Sequence, residues 1–272
     1  MQKQNFIILS SIEWDTVWQT QQKLAKSLSA NNNVLFFENT GIRSPNFRDI
    51  PRIKSRITNW IKSTSGFKEI YKNLVIFYPI TIPLQYSKIF RFINKHILYS
   101  KLKEWITIHN ANKVIVITFN PSPLSIELAE LISPNVLIYY CANQMTGHNN
   151  QHKRLLKWEN LLMSKADSVF VISELLKKKA ESFCGTVLKF PAGVEIDKFI
   201  IAKKHNKIPG LIKNIDKPVV GYIGAITKVF DINLVEHLII TNTNLFFIFI
   251  GPRFIDCSRL SKRKNVLFID QV

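Results

Sequence analysis

Val114-Ile-Val-Ile117 is the clearest strand signal in the sequence, because four β-branched apolar residues follow one another without a polar interruption. A run that is apolar at every position suits a strand covered on both faces, as in a parallel sheet. Comparable runs lie at 6–10, 34–37, 74–78, 136–140, 168–172 and 186–190, and helix-length stretches such as 17–28 separate most of them. This alternation predicts right-handed βαβ units and therefore an α/β fold with a parallel sheet.

A second unit follows a change in composition. Residues 191–217 hold Pro191, Gly193, Pro209 and Gly210 within Lys-rich polar text, which is typical of a linker or domain crossing. Strands are then predicted at 219–223, 245–250 and 265–269, with a turn at 224–227 and a helix at 231–240. We therefore expect two Rossmann-like, doubly wound domains: 1–190, a crossing at 191–217, and 218–272. The second is expected to be incomplete, because such a domain needs about twice that length.

The composition narrows the class of protein. Hydrophobic residues make up 46% and charged residues 21% of the chain, which excludes long disorder and fibres. Lys and Arg outnumber Asp and Glu by 37 to 19, a net charge of +18, so phosphate-rich partners are favoured: nucleic acid, anionic lipid or nucleotide-type ligands. The three cysteines have no metal or disulfide spacing, and no apolar run approaches the about 20 residues of a membrane span. A cytoplasmic location is expected.

Much of the positive charge lies in one sector. Residues 43–113 carry 14 Lys or Arg against 3 Asp or Glu. Apolar residues between 47 and 61 recur there at three- and four-residue spacing, with basic residues between them. This pattern predicts a basic amphipathic helix that lies on an anionic membrane or holds the acceptor, or else a surface helix that packs on the sheet. The residues predicted to form that surface are Arg48, Arg52, Arg56 and Trp60.

Glycines follow two strands of the second unit. Gly221-Tyr-Ile-Gly224 comes at the end of one predicted strand, and Gly251-Pro252 follows the next. Ligands of open parallel sheets bind beyond the carboxyl ends of the strands, and helix-start amides bind phosphate. These residues are therefore either a ligand site or simple turns.

Two further segments are candidates for a functional site, one after the first strand and one at the predicted crossing. In Glu13-Trp14-Asp15, after the first strand, Asp15 either caps the next helix or is a functional carboxylate. Pro191 and Gly193 form either a hinge or a cleft wall. His148 and His152 have no third ligand nearby in the sequence, so no metal site is expected.

Seven blocks of sequence together resemble one family. They are 11–25, 37–45 (Phe-Glu-Asn-Thr-Gly-Ile-Arg-Ser-Pro), 139–145 (Tyr-Tyr-Cys-Ala-Asn-Gln-Met), 166–173, 190–199, 221–226 and 249–252. In this order and spacing they resemble bacterial glycosyltransferases of the two-Rossmann-domain class (GT-B fold, close to family 4). Those enzymes make lipopolysaccharide, teichuronic acid and other surface polysaccharides.

The resemblance implies transfer of a sugar, with retention of configuration, from a nucleotide-sugar to a lipid-linked or glycan acceptor. In that class the amino domain mainly holds the acceptor and the carboxyl domain holds the donor, with the reaction in the cleft between them. No metal or other cofactor is implied. Amides and basic side chains stabilise the leaving diphosphate, because charge builds on its oxygens.

The resemblance also assigns residues. Gly221 and Gly224 match the diphosphate-side turn, and Lys228 lies close to the position of a basic diphosphate ligand. Asp15 and Trp14 match the loop that faces the cleft. Asp15 and Asn143 are the candidate catalytic residues, but Asn143 departs from the Asp that relatives usually carry there, and an amide does not supply the acid–base function of a carboxylate. Pro191 and Gly193 match the crossing.

One departure from the family and two alternatives remain. The family's acidic donor-binding segment would lie beyond Val272, so weak or no transferase activity is expected of residues 1–272 alone. A nucleotide-sugar epimerase of the same fold is one alternative. A basic nucleic-acid-binding protein is the other, but no base-stacking or groove-reading motif supports it, so no nucleic-acid partner is expected.

Overall fold

The computed structural model describes residues 3–38, 58–63, 65–82, 87–144, 150–191, 193–205 and 208–270. They fall into two compact units, Met1–Val194 and Glu195–Val272. The division lies inside the stretch predicted to be a crossing. Each unit has its own sheet.

The described residues of unit 1 form an eight-stranded sheet with β1 near its centre. The strand order is β3-β4-β2-β1-β5-β6-β7-β8, and every neighbouring pair except β3–β4 is parallel. The predicted α/β class and parallel sheet are therefore confirmed. The strands are β1 (Asn5–Leu9), β2 (Asn33–Phe37), β3 (Phe67–Tyr71), β4 (Leu74–Phe77), β5 (Val114–Thr118), β6 (Val136–Cys141), β7 (Ser168–Val171) and β8 (Val187–Lys189).

Strand β3 was not predicted, and it is antiparallel to β4. Lys68 and Glu69 interrupt its apolar residues, as suits a strand that forms one edge of the sheet. The two-residue connection ends at Asn73, whose φ of 69° lies in the left-handed region that asparagine tolerates. The sheet is therefore mainly parallel, with one antiparallel strand at this edge.

Helices cover both faces of the first sheet. One face packs Ala25 of α1 against Ile8, Phe36 and Ile76. The other packs Leu98 and other residues of α2 and α3 against β1, β2 and β5, while α4 and α5 cover β6 and β7. The helices are α1 (Thr20–Ser29), α2 (Lys88–Ile108), α3 (Pro123–Ile132), α4 (Asn150–Lys165) and α5 (Glu174–Ala180).

Unit 2 contains a three-stranded parallel sheet of order β11-β10-β9 in its described part. Its core includes Ile226, Ile239, Phe247, Phe249 and Leu260. The three predicted strands and the helix near 231–240 are confirmed, whereas the helix over 196–205 was missed. The elements are α6 (Ile196–His205), a 3-10 turn (Gly210–Ile212), β9 (Val219–Ile223), α7 (Ile232–Thr241), β10 (Phe246–Ile250), α8 (Ser258–Ser261) and β11 (Val266–Ile269).

Most of the predicted basic amphipathic helix, including Arg48, Arg52 and Arg56, lies outside the described residues. Residues 58–61 are helical, and Trp60 there is 40% exposed. None of the helices in the described ranges is long and apolar enough to cross a membrane.

Candidate functional site

One row of side chains crosses the carboxyl edge of the first sheet. The parallel registers end at Phe37 beside Phe77 and at Leu9 beside Phe37, and the hydrogen bonds continue one residue further. The Glu38 amide donates to the Phe77 carbonyl (3.1 Å), and the Ser10 amide donates to the Phe37 carbonyl (2.9 Å). Side chains at matched positions of parallel strands share a face about 4.8 Å apart. The row is therefore Tyr78, Glu38, Ser10, Phe119 and Tyr140.

Two buried glutamines of α1 hold the loop that follows β1. Gln21 Oε1 accepts hydrogen bonds from the Ser10 hydroxyl (2.7 Å) and the Ser11 amide (2.9 Å). Gln22 Nε2 donates to the Glu13 carbonyl (3.2 Å), and its Oε1 accepts from the Gln19 amide (2.9 Å). The loop is thus fixed to the helix that follows it.

Trp14 and Asp15 lie in this loop but have different surroundings. Trp14 is 4% exposed, its ring packs edge-on against Phe36 (5.0 Å), and its amide donates to Glu38 Oε1 (2.6 Å). Asp15 is exposed, and its Oδ2 accepts from Asn59 Nδ2 (3.1 Å). The cap of α1 is Gln19, so the prediction that Asp15 caps this helix is wrong, because the helix begins later than predicted.

Tyr78 is 2% exposed, and its hydroxyl has no hydrogen-bond partner in the described part of the chain. Burial raises the pKa of this hydroxyl, and the negative charges of Asp15 and Glu38 raise it further. The hydroxyl is therefore neutral at physiological pH. Neither Tyr78 nor Glu38 was predicted as a site residue, although a lone acid directly after the apolar run 34–37 was an available signal.

A second buried polar group without a hydrogen-bond partner among the described residues lies at the end of β5. Asn120 is 1% exposed, and its Oδ1 has no hydrogen-bond partner among the described residues. Its backbone is fixed, because its amide donates to Thr118 Oγ1 (3.2 Å) and its carbonyl accepts from the Ser122 amide (2.9 Å). From β1 the chain adds strands toward one edge of the sheet, and from β5 it adds them toward the other edge. The strand order therefore reverses between β1 and β5, and ligands of open sheets bind at such a point.

The end of β6 contains a buried ionic cluster. Glu159 is fully buried, pairs with Lys179, and accepts hydrogen bonds from the Tyr139 hydroxyl (2.9 Å) and the Cys141 thiol (3.6 Å). Burial, and then the charge of Glu159, raises the pKa of the Cys141 thiol to about 12. A thiol that stays protonated is a poor nucleophile, so the cluster acts in packing.

The remaining candidates of unit 1 lie at the surface. Asn143, two residues beyond β6, is exposed, and its carbonyl accepts from the Cys141 thiol (3.6 Å). Pro191 and Gly193 are also exposed, and a Cβ on Gly193 would meet open space. The roles assigned to these three residues stay predictions.

Two glycine turns interlock at the carboxyl edge of the second sheet. The Gly224 amide donates to the Ile250 carbonyl (2.9 Å), and the Ile226 amide donates to the Pro252 carbonyl (3.0 Å). Gly251 has a φ of +137°, and a Cβ there would overlap the Gly224 carbonyl, meeting its carbon at 2.9 Å. The backbones approach so closely that only glycine fits at Gly251.

Cationic side chains follow these turns. Lys228 is exposed in the turn after Gly224. Arg253 follows Pro252, lies over the Phe268 ring (5.3 Å) and pairs with Asp270 (3.2 Å). Arg253 was not predicted as a site residue, although a cation directly after a strand-end Gly-Pro was an available signal. Gly221 lies inside β9, two residues before its end, and a Cβ added there would meet no atom within 4 Å.

The backbone amides at the amino end of α7 are already capped by a carboxylate. The Asp231 carboxylate caps this helix and accepts from the Leu234 amide (3.0 Å). A negative cap disfavours an anion there, so the glycine turns with Lys228 and Arg253 are the better anion site of this edge. No group of three His, Cys, Asp or Glu residues within the described ranges could hold a metal ion.

Comparisons with known proteins show the fold. No protein-family model matches the sequence, and a search of curated proteins gives no match. Among solved structures, HepE of Anabaena in complex with UDP and glucose aligns with a TM-score of 0.60 and 11% identity, over 100% of this chain and 70% of HepE.

Two further structures align similarly. The α,α-trehalose 6-phosphate synthase of Burkholderia multivorans gives a TM-score of 0.57 and 8% identity, over 100% of this chain and 73% of the synthase. MnaA of S. aureus with UDP gives a TM-score of 0.52 and 11% identity, over 100% of this chain and 70% of MnaA. The chain therefore has the GT-B fold, as expected from the resemblance. The relation to family 4 stays a prediction.

Proposed function

We propose that the chain is a glycosyltransferase that moves a sugar from a UDP-sugar to a hydroxyl-bearing acceptor. The main support is the edge of unit 2, where the interlocked turns at Gly224 and Gly251 lie next to Lys228 and Arg253. This edge belongs to a GT-B fold, and two of the aligned structures, HepE and MnaA, hold UDP.

The chemistry follows from where charge develops. As the bond between the sugar and the diphosphate breaks, negative charge builds on the departing phosphate oxygen, and preorganised donors and cations lower this barrier. In the proposal, Lys228 and Arg253 supply the cations. Gly224 and Gly251 let backbone amides approach the phosphates. Unit 2 thus holds the donor, unit 1 holds the acceptor, and no metal is proposed.

The donor site is tested by titrating UDP into the purified chain by calorimetry. Lys228→Ala is expected to weaken UDP binding about tenfold or more, because a charge-assisted phosphate contact is lost. Lys264→Ala is the matched control, because Lys264 is also exposed but precedes β11 at the opposite edge of the same sheet. No UDP binding by the wild type, or equal losses in both variants, would contradict the proposal.

Finer features rest on the resemblance and stay proposals. We propose that the sugar is a hexose transferred with retention, and that the acceptor is a lipid-linked or glycan intermediate of a bacterial surface polysaccharide. Where the chain turns over UDP-glucose, incubation with and without acceptor separates transfer from epimerisation, because only an epimerase inverts a carbon of the sugar without acceptor.

We also propose that unit 1 contacts an anionic membrane surface from the cytoplasmic side. Four exposed apolar residues recur along the first half of α2: Ile89, Phe92, Ile93 and Ile97. Ile82, also exposed, is fixed beside them by two hydrogen bonds of 2.8 Å with Asn94. An exposed apolar patch of this kind within a basic sector suits an anionic interface.

Vesicle sedimentation tests the membrane proposal. The wild type is expected to bind phosphatidylcholine vesicles that contain phosphatidylserine more tightly than pure phosphatidylcholine vesicles. Phe92→Ser with Ile93→Ser is expected to weaken that binding at least about tenfold, because two large apolar side chains no longer insert. Ile108→Ser, at the far end of the same helix, is the control. Equal sedimentation of both variants with the wild type refutes the contact.

A further inference from the structure

A polar cavity lies at the amino edge of the first sheet, where β1, β2 and β5 begin. Its volume is about 390 Å³, and its lining includes Asn5, which is paired by register with Asn33 of β2. Lys3, just before β1, and Lys113, just before β5, also line it. A strand rises by about 3.3 Å per residue, so this cavity lies about 16 Å from the row of side chains at the carboxyl edge. It is therefore separate from the site described above.

The charge of the cavity favours an anion. Its lining consists of two lysines, four asparagines, a glutamine and a histidine, and no acidic residue of the described part of the chain belongs to it. The Lys113 ammonium has no hydrogen-bond or ion-pair partner among the described residues. Lys3 Nζ donates to Asn73 Oδ1 (2.9 Å), and an ammonium has three donors, so two remain. Two cations without a nearby carboxylate attract negative charge.

Two asparagine amides are fixed in place beside these cations. Asn5 is 9% exposed, its Nδ2 donates to the Lys113 carbonyl (3.2 Å), and its Oδ1 accepts from Asn33 Nδ2 (2.9 Å). An amide nitrogen carries two N–H donors. After these bonds each of the two side chains therefore keeps one N–H for an oxygen of a ligand.

His109 adds a group of a different kind. Its Nδ1 lies 2.9 Å from the Trp105 carbonyl, and its ring stacks on the Trp105 ring with the centroids 4.4 Å apart. Because a carbonyl only accepts hydrogen bonds, Nδ1 carries the proton, and Nε2 of the neutral ring is an acceptor. A ligand that contacts both His109 and the lysines thus needs an O–H donor as well as negative charge.

We propose that this cavity binds a small phosphate ester of a sugar-like molecule. The phosphate lies against Lys113 and Lys3, and the hydroxyls contact the asparagine amides and His109. The volume falls in the range of about 300–1,000 Å³ that is typical of small-molecule sites, so the ligand is larger than a phosphate ion. The lining contains no aliphatic residue, which favours a sugar over a nucleobase. This site does not rest on the proposed transferase function.

Calorimetry on the purified chain tests the class of ligand. The titrations are made at roughly physiological ionic strength, which screens the general attraction of anions to a chain of net charge +18. Glucose 6-phosphate is expected to bind more tightly than inorganic phosphate or AMP, and glucose is expected not to bind. No binding of glucose 6-phosphate at several millimolar, tighter binding of AMP, or equal binding of glucose would overturn the proposal.

Matched variants locate the binding. Lys113→Ala is expected to weaken the binding of glucose 6-phosphate about tenfold, because a charge-assisted contact is lost. Lys72→Ala is the control, because Lys72 is exposed at the same edge of the sheet, in the connection between β3 and β4, but does not line the cavity. Equal losses in both variants would show attraction by overall charge alone and overturn the site.

The exposed Asn112 provides a second pair of variants that tests the sign of the charge. Asn112→Asp is expected to abolish the binding of glucose 6-phosphate, because the new carboxylate repels the phosphate. Asn112→Ala is expected to weaken it far less, and the far-UV spectra of both variants are expected to match that of the wild type. Equal binding by the two variants contradicts the placement of the phosphate.

Two further measurements separate this site from other sources of phosphate. Lys113→Ala is expected to sediment with phosphatidylserine-containing vesicles like the wild type. Reduced sedimentation of Lys113→Ala, but not of Lys72→Ala, would assign the cavity to a lipid head group and refute a soluble ligand. Loss of glucose 6-phosphate binding in Lys228→Ala rather than in Lys113→Ala would place the anion in unit 2 and likewise refute the proposal.

Discussion

Gly251→Ala is expected to disrupt unit 2 while leaving unit 1 folded. A Cβ at this position would overlap the Gly224 carbonyl, and the φ of +137° is strained for any residue with a side chain. Because the neighbour is backbone rather than a flexible side chain, one of the two turns must move. That breaks the hydrogen bonds that join them, and we expect a loss of roughly 3 kcal/mol or more.

The two units can be measured separately. All five tryptophans, at positions 14, 18, 60, 105 and 158, lie in unit 1, so tryptophan fluorescence reports that unit alone. In Gly251→Ala we expect an unchanged fluorescence melt and fast amide exchange over 219–269. Gly221→Ala is the matched control, since a Cβ there meets nothing within 4 Å. Slow exchange in Gly251→Ala equal to that of the control would contradict the steric argument.

Lys179→Met is expected to destabilise unit 1 by about 3 kcal/mol. The substitution leaves the carboxylate of Glu159, which is fully buried, without its cation. An uncompensated buried charge typically costs about 3–5 kcal/mol, and we expect the lower end because Lys179 is partly exposed. Trp158 adjoins Glu159 in α4, so urea unfolding followed by tryptophan fluorescence measures the loss.

Two further variants isolate the ion pair. Lys178→Met changes an exposed neighbour in the same helix and is expected to alter stability by less than about 0.5 kcal/mol. Glu159→Gln combined with Lys179→Met removes both charges and should recover much of the loss. If the double variant is as unstable as the sum of the single ones, the two side chains are not coupled.

Most strands could be predicted because their apolar runs are short, β-branched and separated by helix-length stretches. The run 114–118 matches β5. The misses have physical reasons. Strand β3 is an edge strand with a charged pair in the middle, so its composition resembles a loop. Helix α6 buries none of its residues. It therefore has no apolar face from which a helix could be predicted, and the Lys-rich sequence around it is typical of a linker.

The site could be predicted only in part. Gly224 and Gly251 could be named as candidates because glycine directly after a strand is a local signal. Tyr78, Glu38 and Asn120 were not named, because only strand order brings Glu38 beside Tyr78. Likewise, only burial leaves the Tyr78 hydroxyl and Asn120 Oδ1 without a hydrogen-bond partner among the described residues. Arg253 was missed, although its position directly after the strand-end Gly251-Pro252 was a local signal of the same kind.

Hydrogen exchange measured with and without UDP locates the donor site on the chain without requiring turnover. Saturating UDP is expected to slow amide exchange at 224–228 and 251–253, with no protection at the amino ends of β9, β10 and β11. Protection confined to unit 1, or none anywhere at a UDP concentration of several millimolar, would contradict the assignment of unit 2 as the nucleotide-sugar unit.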